Sequence, residues 1–260
     1  MKNFDIWSSF YGSIQATELV YDVTMYGQRH REIRLVQLLE KFGDSRAKLR
    51  NNTDMESAIK EIEAMERGQN SKLISLDLDK KQIVLVRKVV RDHLRTVRSI
   101  PKMARNQLTI TLAAQIEGYV SDMLRQIFLS KPDTLKSRRQ SLKDDELVDS
   151  IKLGDPLLVL AEKRIREIMY SSAREWIYVF QKELGIDISN PDLLVEIFLI
   201  RNCMLHNNEK IGPDLKKTSN KRYKNVGKKI NITERDVVRF IDGAKEFGSD
   251  LYAGYNSKFI

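Results

Sequence analysis

The apolar positions along the chain recur at helical spacing almost throughout, and they predict a succession of helices. From Phe4 to about Met25 the residues Phe4, Trp7, Phe10, Tyr11, Ile14, Leu19, Tyr21 and Val23 are rich in aromatics and mixed in period, with helix as the preferred reading. Ile33, Val36, Leu38, Leu39 and Phe42 then repeat every three to four residues up to Gly43, a suitable C-terminal stop. Thr53 and Glu56 form a capping-box pattern ahead of Ile59, Ile62 and Met65, and Gly68 closes that segment. Residues 72–90 are ambiguous. Leu73, Ile74, Leu76 and Leu78 partly alternate as in a short strand, whereas Val86, Val90, Leu94 and Val97 favour a helix from about Asp79.

Pro101 is expected to break or kink this element, so a boundary is placed there: 1–100 an N-terminal helical region, 101–260 a second helical domain. A helix from about Lys102 to Leu129 buries Leu108, Leu112, Ile116, Val120, Met123, Leu124 and Ile127. Glu117 shares its face with Ala113, Val120 and Leu124, and a carboxylate on an apolar stripe needs a partner. The mixed-charge stretch 131–150 reads as loop plus a short helix. Its Asp144-Asp145-Glu146 run is more often surface than a metal cage. Asp155-Pro156, Ser171 or Ser172, and Thr233 with Asp236 mark three further helix starts, and Gly185 marks a stop.

The run from Asn190 to Asn208 organises the rest. Asn190, Pro191 and Asp192 supply an N-cap, a first-turn proline and an acid for the positive end of the helix dipole. At about 100° per residue Leu194, Ile197, Phe198, Leu205 and Arg201 fall on one side, so an arginine lies within an apolar face. Asn202 and His206 are about 40° apart, with Asn202 between Arg201 and His206. A lone buried guanidinium would cost several kcal/mol, roughly, and Glu117 is the expected partner. The segment is apolar almost all round, which fits packing against both its own domain and a second copy, or burial at the centre of a monomer.

Composition narrows the classes. With 260 residues, 42% of them hydrophobic, and only 5 Pro and 12 Gly, the chain is expected to be all-α with a substantial core. Cys203, the single cysteine, excludes an internal disulfide and suits a small core filler. The three histidines, His30, His93 and His206, lie far apart and argue against a zinc site, and no cofactor is expected. Asp5, Ser8, Ser9 and Ser13 stand where a signal peptide would need an apolar block, and no long apolar window predicts a membrane span. The expectation is therefore a cytoplasmic protein.

The formal charge is +9, and its distribution points to an anionic partner. Between Glu209 and Ile230 eight Lys or Arg face two acids, among them Lys210, Lys216, Lys217, Lys221, Arg222 and Lys224, with Tyr223 available to stack on a base. A second basic face, Arg87, Lys88, Arg91, Arg95 and Arg98, suits either a nucleic-acid backbone or, more commonly, a solvated helix surface.

Arg201-Asn202-Cys203-Met204-Leu205-His206 resembles the Arg, polar residue, then His motif (R-x4-6-H) of the HEPN superfamily. Asn207-Asn208 is similar to its bacterial defence and toxin-like branches, and Ala113-Ala114-Gln115-Ile116-Glu117 resembles their acidic core helix. The likeness covers roughly residues 102–250. It implies an antiparallel helical bundle that dimerises around a composite cleft, and a metal-independent endoribonuclease acting in a toxin–antitoxin or anti-phage setting. It further implies His206 as general acid or base, Arg201 stabilising the charged phosphorane, Asn202 orienting and Glu117 positioning Arg201. The alternative is a non-catalytic module of the same architecture that holds RNA, a nucleotide or a partner protein.

Overall fold

The computed structural model describes residues 3–41, 80–137, 155–219 and 222–260. The described residues form an all-α protein, with seven α-helices and no named strand. These are α1 (Asn3–Lys41), α2 (Lys80–Ser130), α3 (Pro156–Met169), α4 (Ala173–Tyr178), α5 (Pro191–His206), α6 (Pro213–Thr218) and α7 (Glu234–Phe259). A 3-10 turn at Pro132–Ser137 follows α2, and a wider π turn, Val179–Glu183, continues α4.

Several starts follow the local chemistry read from the residues. Asp155 Oδ1 accepts from the Leu158 amide at 2.9 Å, and Ser172 Oγ accepts from the Glu175 amide at 3.3 Å. At α7, Thr233 Oγ1 accepts from the Asp236 amide at 3.3 Å while Asp236 Oδ2 accepts from the Thr233 amide at 2.8 Å, a complete capping box. Asn190 precedes α5 without a side-chain capping bond, leaving Pro191 and Asp192 to mark that start. The expected helix from Thr53 to Gly68 and the Asp144-Asp145-Glu146 run lie outside the described residues.

Two expectations are corrected. The separate helices over Phe4–Met25 and Ile33–Phe42 are one helix, because Gly12 and Gly27 cost helix stability without breaking hydrogen bonds. Pro101 lies inside α2 rather than ending it. A proline there removes one backbone bond and costs about 3 kcal/mol, and buried Val90, Leu94 and Val97 before it with Leu108 and Leu112 after it offset that cost.

The chain divides into two compact units, Met1–Leu19 with Arg105–Ile260, and Val20–Ala104. The change within α2 falls one turn past Pro101, close to the expected boundary. The first residues of α1, however, join the larger unit rather than an N-terminal region.

In the larger unit four helix segments pack as an antiparallel bundle. Phe10 stacks on Tyr119 at 4.2 Å, and Gln115 Nε2 donates to Thr17 Oγ1 at 2.8 Å, so α1 and α2 run in opposite directions. Trp7 meets Tyr252 at 5.2 Å while Lys245 reaches Glu18 at 2.8 Å, which opposes α1 and α7. Glu117 pairs with Arg201 and Asn106 Nδ2 donates to Glu209 at 3.3 Å, which opposes α2 and the α5 end. Glu196 pairs with Arg239, and Leu193 lies against Gly243, which opposes α5 and α7. Aromatic burial thus makes the opening residues one wall of the bundle. In the smaller unit, Val36 and Leu39 form a core with Val90 and Leu94, and Arg98 Nε donates to Glu32 at 2.8 Å.

Candidate functional site

The site lies at the C-terminal end of α5. Leu193, Leu194, Val195, Ile197, Phe198, Ile200 and Cys203 are buried, and Trp176 meets Phe198 edge-on at 4.8 Å. These apolar residues of the helix are therefore covered by its own chain. Its C-terminal end opens to solvent: Asn202 and His206 are exposed, and Leu205 is 48% exposed. Leu205 thus departs from the buried face to which the helical wheel assigned it.

Arg201 meets Glu117 as expected. Its Nη2 lies 3.2 Å from both carboxylate oxygens, and its Nη1 donates to Asn202 Oδ1 at 3.0 Å. The pair is half-buried, with side-chain exposures of 26% and 30%. A guanidinium has five N–H donors in one plane, so these bonds orient it while leaving further donors for an anion. Arg201, Asn202, Glu117 and the exposed His206 at the last helical position all belong to the larger unit.

Beyond His206 the chain reverses. The Asn207 and Glu209 amides both donate to the Cys203 carbonyl, at 3.2 and 3.0 Å, and Asn208 and Glu209 take left-handed φ of 50° and 61°. Asn tolerates that region, whereas Glu is uncommon there. Glu209 is held by Asn106 Nδ2 and lies 4.0 Å from Lys229 Nζ.

The basic segment that follows closes at a neck. Ile230 N donates to Glu209 O at 2.8 Å, Ile211 N donates to Lys228 O at 2.9 Å, and Lys210 and Lys229 form an antiparallel bridge. Leu215 and Ser219 are buried within the loop so formed. Lys210, Lys216, Lys217, Lys224, Lys228 and Lys229 are exposed around it, while Lys221 lies outside the described residues.

One residue expected to contact RNA, Tyr223, is placed otherwise, and a second, Arg222, is engaged by an acid. Tyr223 is only 5% exposed, so its ring packs inward and presents no face to a base. Burial, with Glu196 nearby, pushes its hydroxyl up to about 12. Arg222 pairs with the buried Asp236, whose other oxygen serves the Thr233 cap. Arg222 thus ties the loop to the start of α7 while 38% of its side chain stays exposed.

The structure also shows a pair that the residue pattern left unread. Glu196, 8% exposed, is gripped by Arg239 through two bonds, Nη1 to Oε2 at 3.0 Å and Nη2 to Oε1 at 2.5 Å. A charge inside an apolar run was the signal that picked out Arg201, and Glu196 between Val195 and Ile197 carries the same one. A cleft of about 530 Å³ lies at the opposite end of α5, lined by Asn190, Leu193, Val238, Arg239 and Asp242, and includes none of the expected site residues.

Among the described residues no group of three or more His, Cys, Asp and Glu is placed to hold a metal, and no helix is long and apolar enough to cross a membrane. Compared with protein-family models the chain matches none, and no curated protein or solved structure matches it.

Proposed function

We propose that the chain is a metal-independent endoribonuclease of the HEPN type. The observation that carries this reading is the constellation at the open end of α5: Arg201 oriented by Glu117 and Asn202, an exposed imidazole at His206, and a cationic loop leaving the same helix end. An oriented guanidinium suits the extra charge of a pentacoordinate phosphorane, and an imidazole exchanges protons near neutrality. The exposed lysines of the loop attract a polyanion to that end of the bundle.

In the proposed reaction the ribose 2′-oxygen bonds to phosphorus as its proton passes to a His206 imidazole. The bond from phosphorus to the 5′-oxygen breaks, and a protonated imidazole returns a proton to that leaving oxygen. The products are a 2′,3′-cyclic phosphate and a 5′-hydroxyl. Glu117 is a positioning residue, since it reaches the reaction only through Arg201. We further propose that two copies face one another at this end, where exposed Leu205 borders His206, so that one imidazole accepts the proton and the other donates it. Such an enzyme fits a toxin or defence effector held in check by a partner such as an antitoxin.

The test is incubation of purified protein with bulk cellular RNA in EDTA, beside His206→Ala, with the ends of the products identified. Cleavage by the parent protein to cyclic-phosphate and 5′-hydroxyl ends, lost in the variant, is expected. Equal RNA loss in both samples, or none in either, overturns the catalytic reading. RNA retained but uncut by both would leave the binding module.

A further inference from the structure

The turn between α3 and α4 presents a ring that the fold does not use. Tyr170 caps the end of α3 and is 88% exposed, yet the backbone that carries it is firmly held. Its amide donates to the Arg166 carbonyl at 3.0 Å, Ser171 Oγ donates to the Ile168 carbonyl at 2.6 Å, and Ser172 caps α4. Trp176, buried against Phe198 of α5, donates from Nε1 to the same Ile168 carbonyl at 2.7 Å. A second ring, Tyr178, is 48% exposed at the end of α4. Arg174, also exposed, lies four residues before it and so on the same face of that helix.

This turn adjoins the basic loop. Arg174 Nη2 donates to Thr218 Oγ1 at 2.6 Å, at the end of α6, where Lys216 and Lys217 are exposed. Gly212, just before α6, lies against Cys203, so α6 starts beside the His206 end of α5. Arg166, Arg174, Lys216 and Lys217 stand exposed around the turn against Glu167, Glu175 and Asp214, and Glu167 already pairs with Arg164 at 3.3 Å. A lone exposed tyrosine is ordinary on a protein surface. Two that bracket an arginine in the chain, one of them on a turn already fixed by its own bonds, are what a stacking contact requires: an open ring face whose ordering cost has been met in folding. The cations around them favour an anionic strand over an apolar protein surface.

We infer that Tyr170 and Tyr178 form a stacking platform for unpaired bases of RNA, with Arg174 on a phosphate of the same strand. The inference rests on the RNA reading of the His206 end and gives its substrate class as single-stranded RNA. Only an unpaired strand offers base faces to a protein ring, since a duplex keeps its bases stacked on one another. Arg174 spends one of its five N–H donors on Thr218 and has others for phosphate oxygens. The platform supplies the ring face that the buried Tyr223 cannot.

Binding is measured by fluorescence anisotropy on the full chain carrying His206→Ala, so that bound RNA stays whole, with a labelled single-stranded RNA of about ten nucleotides and its abasic counterpart. Adding Tyr170→Ala and Tyr178→Ala should weaken binding of the base-bearing strand by roughly tenfold or more. The slope of log affinity against log salt should not change, because no charge is removed. Tyr170→Trp with Tyr178→Trp should bind at least as well as the parent, and Arg174→Gln should instead flatten the slope by about 0.7. The abasic strand should bind the parent and the double alanine variant alike. Both rings are exposed, so helix content by circular dichroism should hold. Equal affinity of parent and double variant for the base-bearing strand, equal affinity of the parent for both strands, or no RNA binding by the parent would overturn the inference. So would a change in self-association by sedimentation with RNA affinity unaltered, which would make the rings a protein contact. Cleavage by the chain with His206 intact is followed in parallel. Cutting that persists with affinity unaffected by the double variant removes the platform alone, whereas a tenfold loss of affinity in a chain that never cuts removes the nuclease reading and keeps the platform.

Discussion

Two carboxylates meet two arginines in the bundle, and their different burial predicts opposite consequences of breaking each pair. Arg239→Ala strands Glu196, which is 8% exposed and loses both of its charge-assisted bonds. An uncompensated buried carboxylate costs about 3–5 kcal/mol. For a chain of this length that lowers Tm by on the order of 10 °C. Glu117→Ala is a milder event, because both partners keep about a quarter to a third of their side-chain surface in solvent. Water takes over the Arg201 donors, so the loss is about 1 kcal/mol and Tm falls by roughly 2–4 °C. Activity should rank the other way. Freed from Glu117, Arg201 retains its charge but loses its aim, and RNA cleavage should fall by at least about tenfold, chiefly in kcat, given that one misplaced stabilising donor costs about 2–3 kcal/mol or more. Thermal unfolding by circular dichroism and initial cleavage rates on one RNA would be measured for both variants and for Glu117→Gln. If Glu117→Ala unfolds as early as Arg239→Ala, the Arg201 pair is structural and its catalytic assignment fails.

Two further outcomes concern stability alone. Tyr223 ionises at about 12 in the folded protein against about 10 in an unfolded chain, so the folded state holds its proton longer. Its contribution is complete below pH 10 and is lost as pH rises toward 12, by on the order of 2 kcal/mol. Tyr223→Phe should lessen the alkaline loss in urea titrations, although Tyr119, also pushed up by burial, keeps part of it. An identical pH profile in the variant would refute the assignment. Gly185 ends the π turn at a φ of +67°, and its carbonyl receives Lys258 Nζ. Gly185→Ala should cost about 1–2 kcal/mol and Gly185→Asn less, as read from the urea midpoint, and equal stability of all three would contradict the strain argument.

Three of the seven described helices were legible in the residues because their starts are chemical: Asp155, Ser172 and Thr233 each carry an oxygen that meets a free amide. Where helices fail to stop is a tertiary matter, and Gly27 and Pro101 are crossed because of what α1 and α2 bury on either side. The Arg201 to Glu117 contact followed from a simple rule, that a charge on an apolar face must be answered. That rule needs only one residue in view. The fate of Tyr223 and Arg222 needed two, since nothing near them in the chain shows that Asp236 has an oxygen to spare after capping α7. The place of Met1–Leu19 in the larger bundle was hidden for the same reason: Phe10 and Trp7 find Tyr119 and Tyr252, far away in the chain.

The neck that joins Glu209–Ile211 to Gly227–Ile230 divides the basic segment into parts with different freedom to evolve. Leu215, Ser219 and Tyr223 are fixed inside the fold, whereas the stretch from Lys224 to Val226 is exposed and returns to a point already tied at Gly227. Extending a closed loop is cheap, about 0.6 kcal/mol for each doubling of its length. Insertions at 224–226 can therefore add or remove charge, and with it reach toward a ligand, while α5 and α7 keep their register. Variation among natural relatives, and any engineered extension, should collect at this tip and spare the neck.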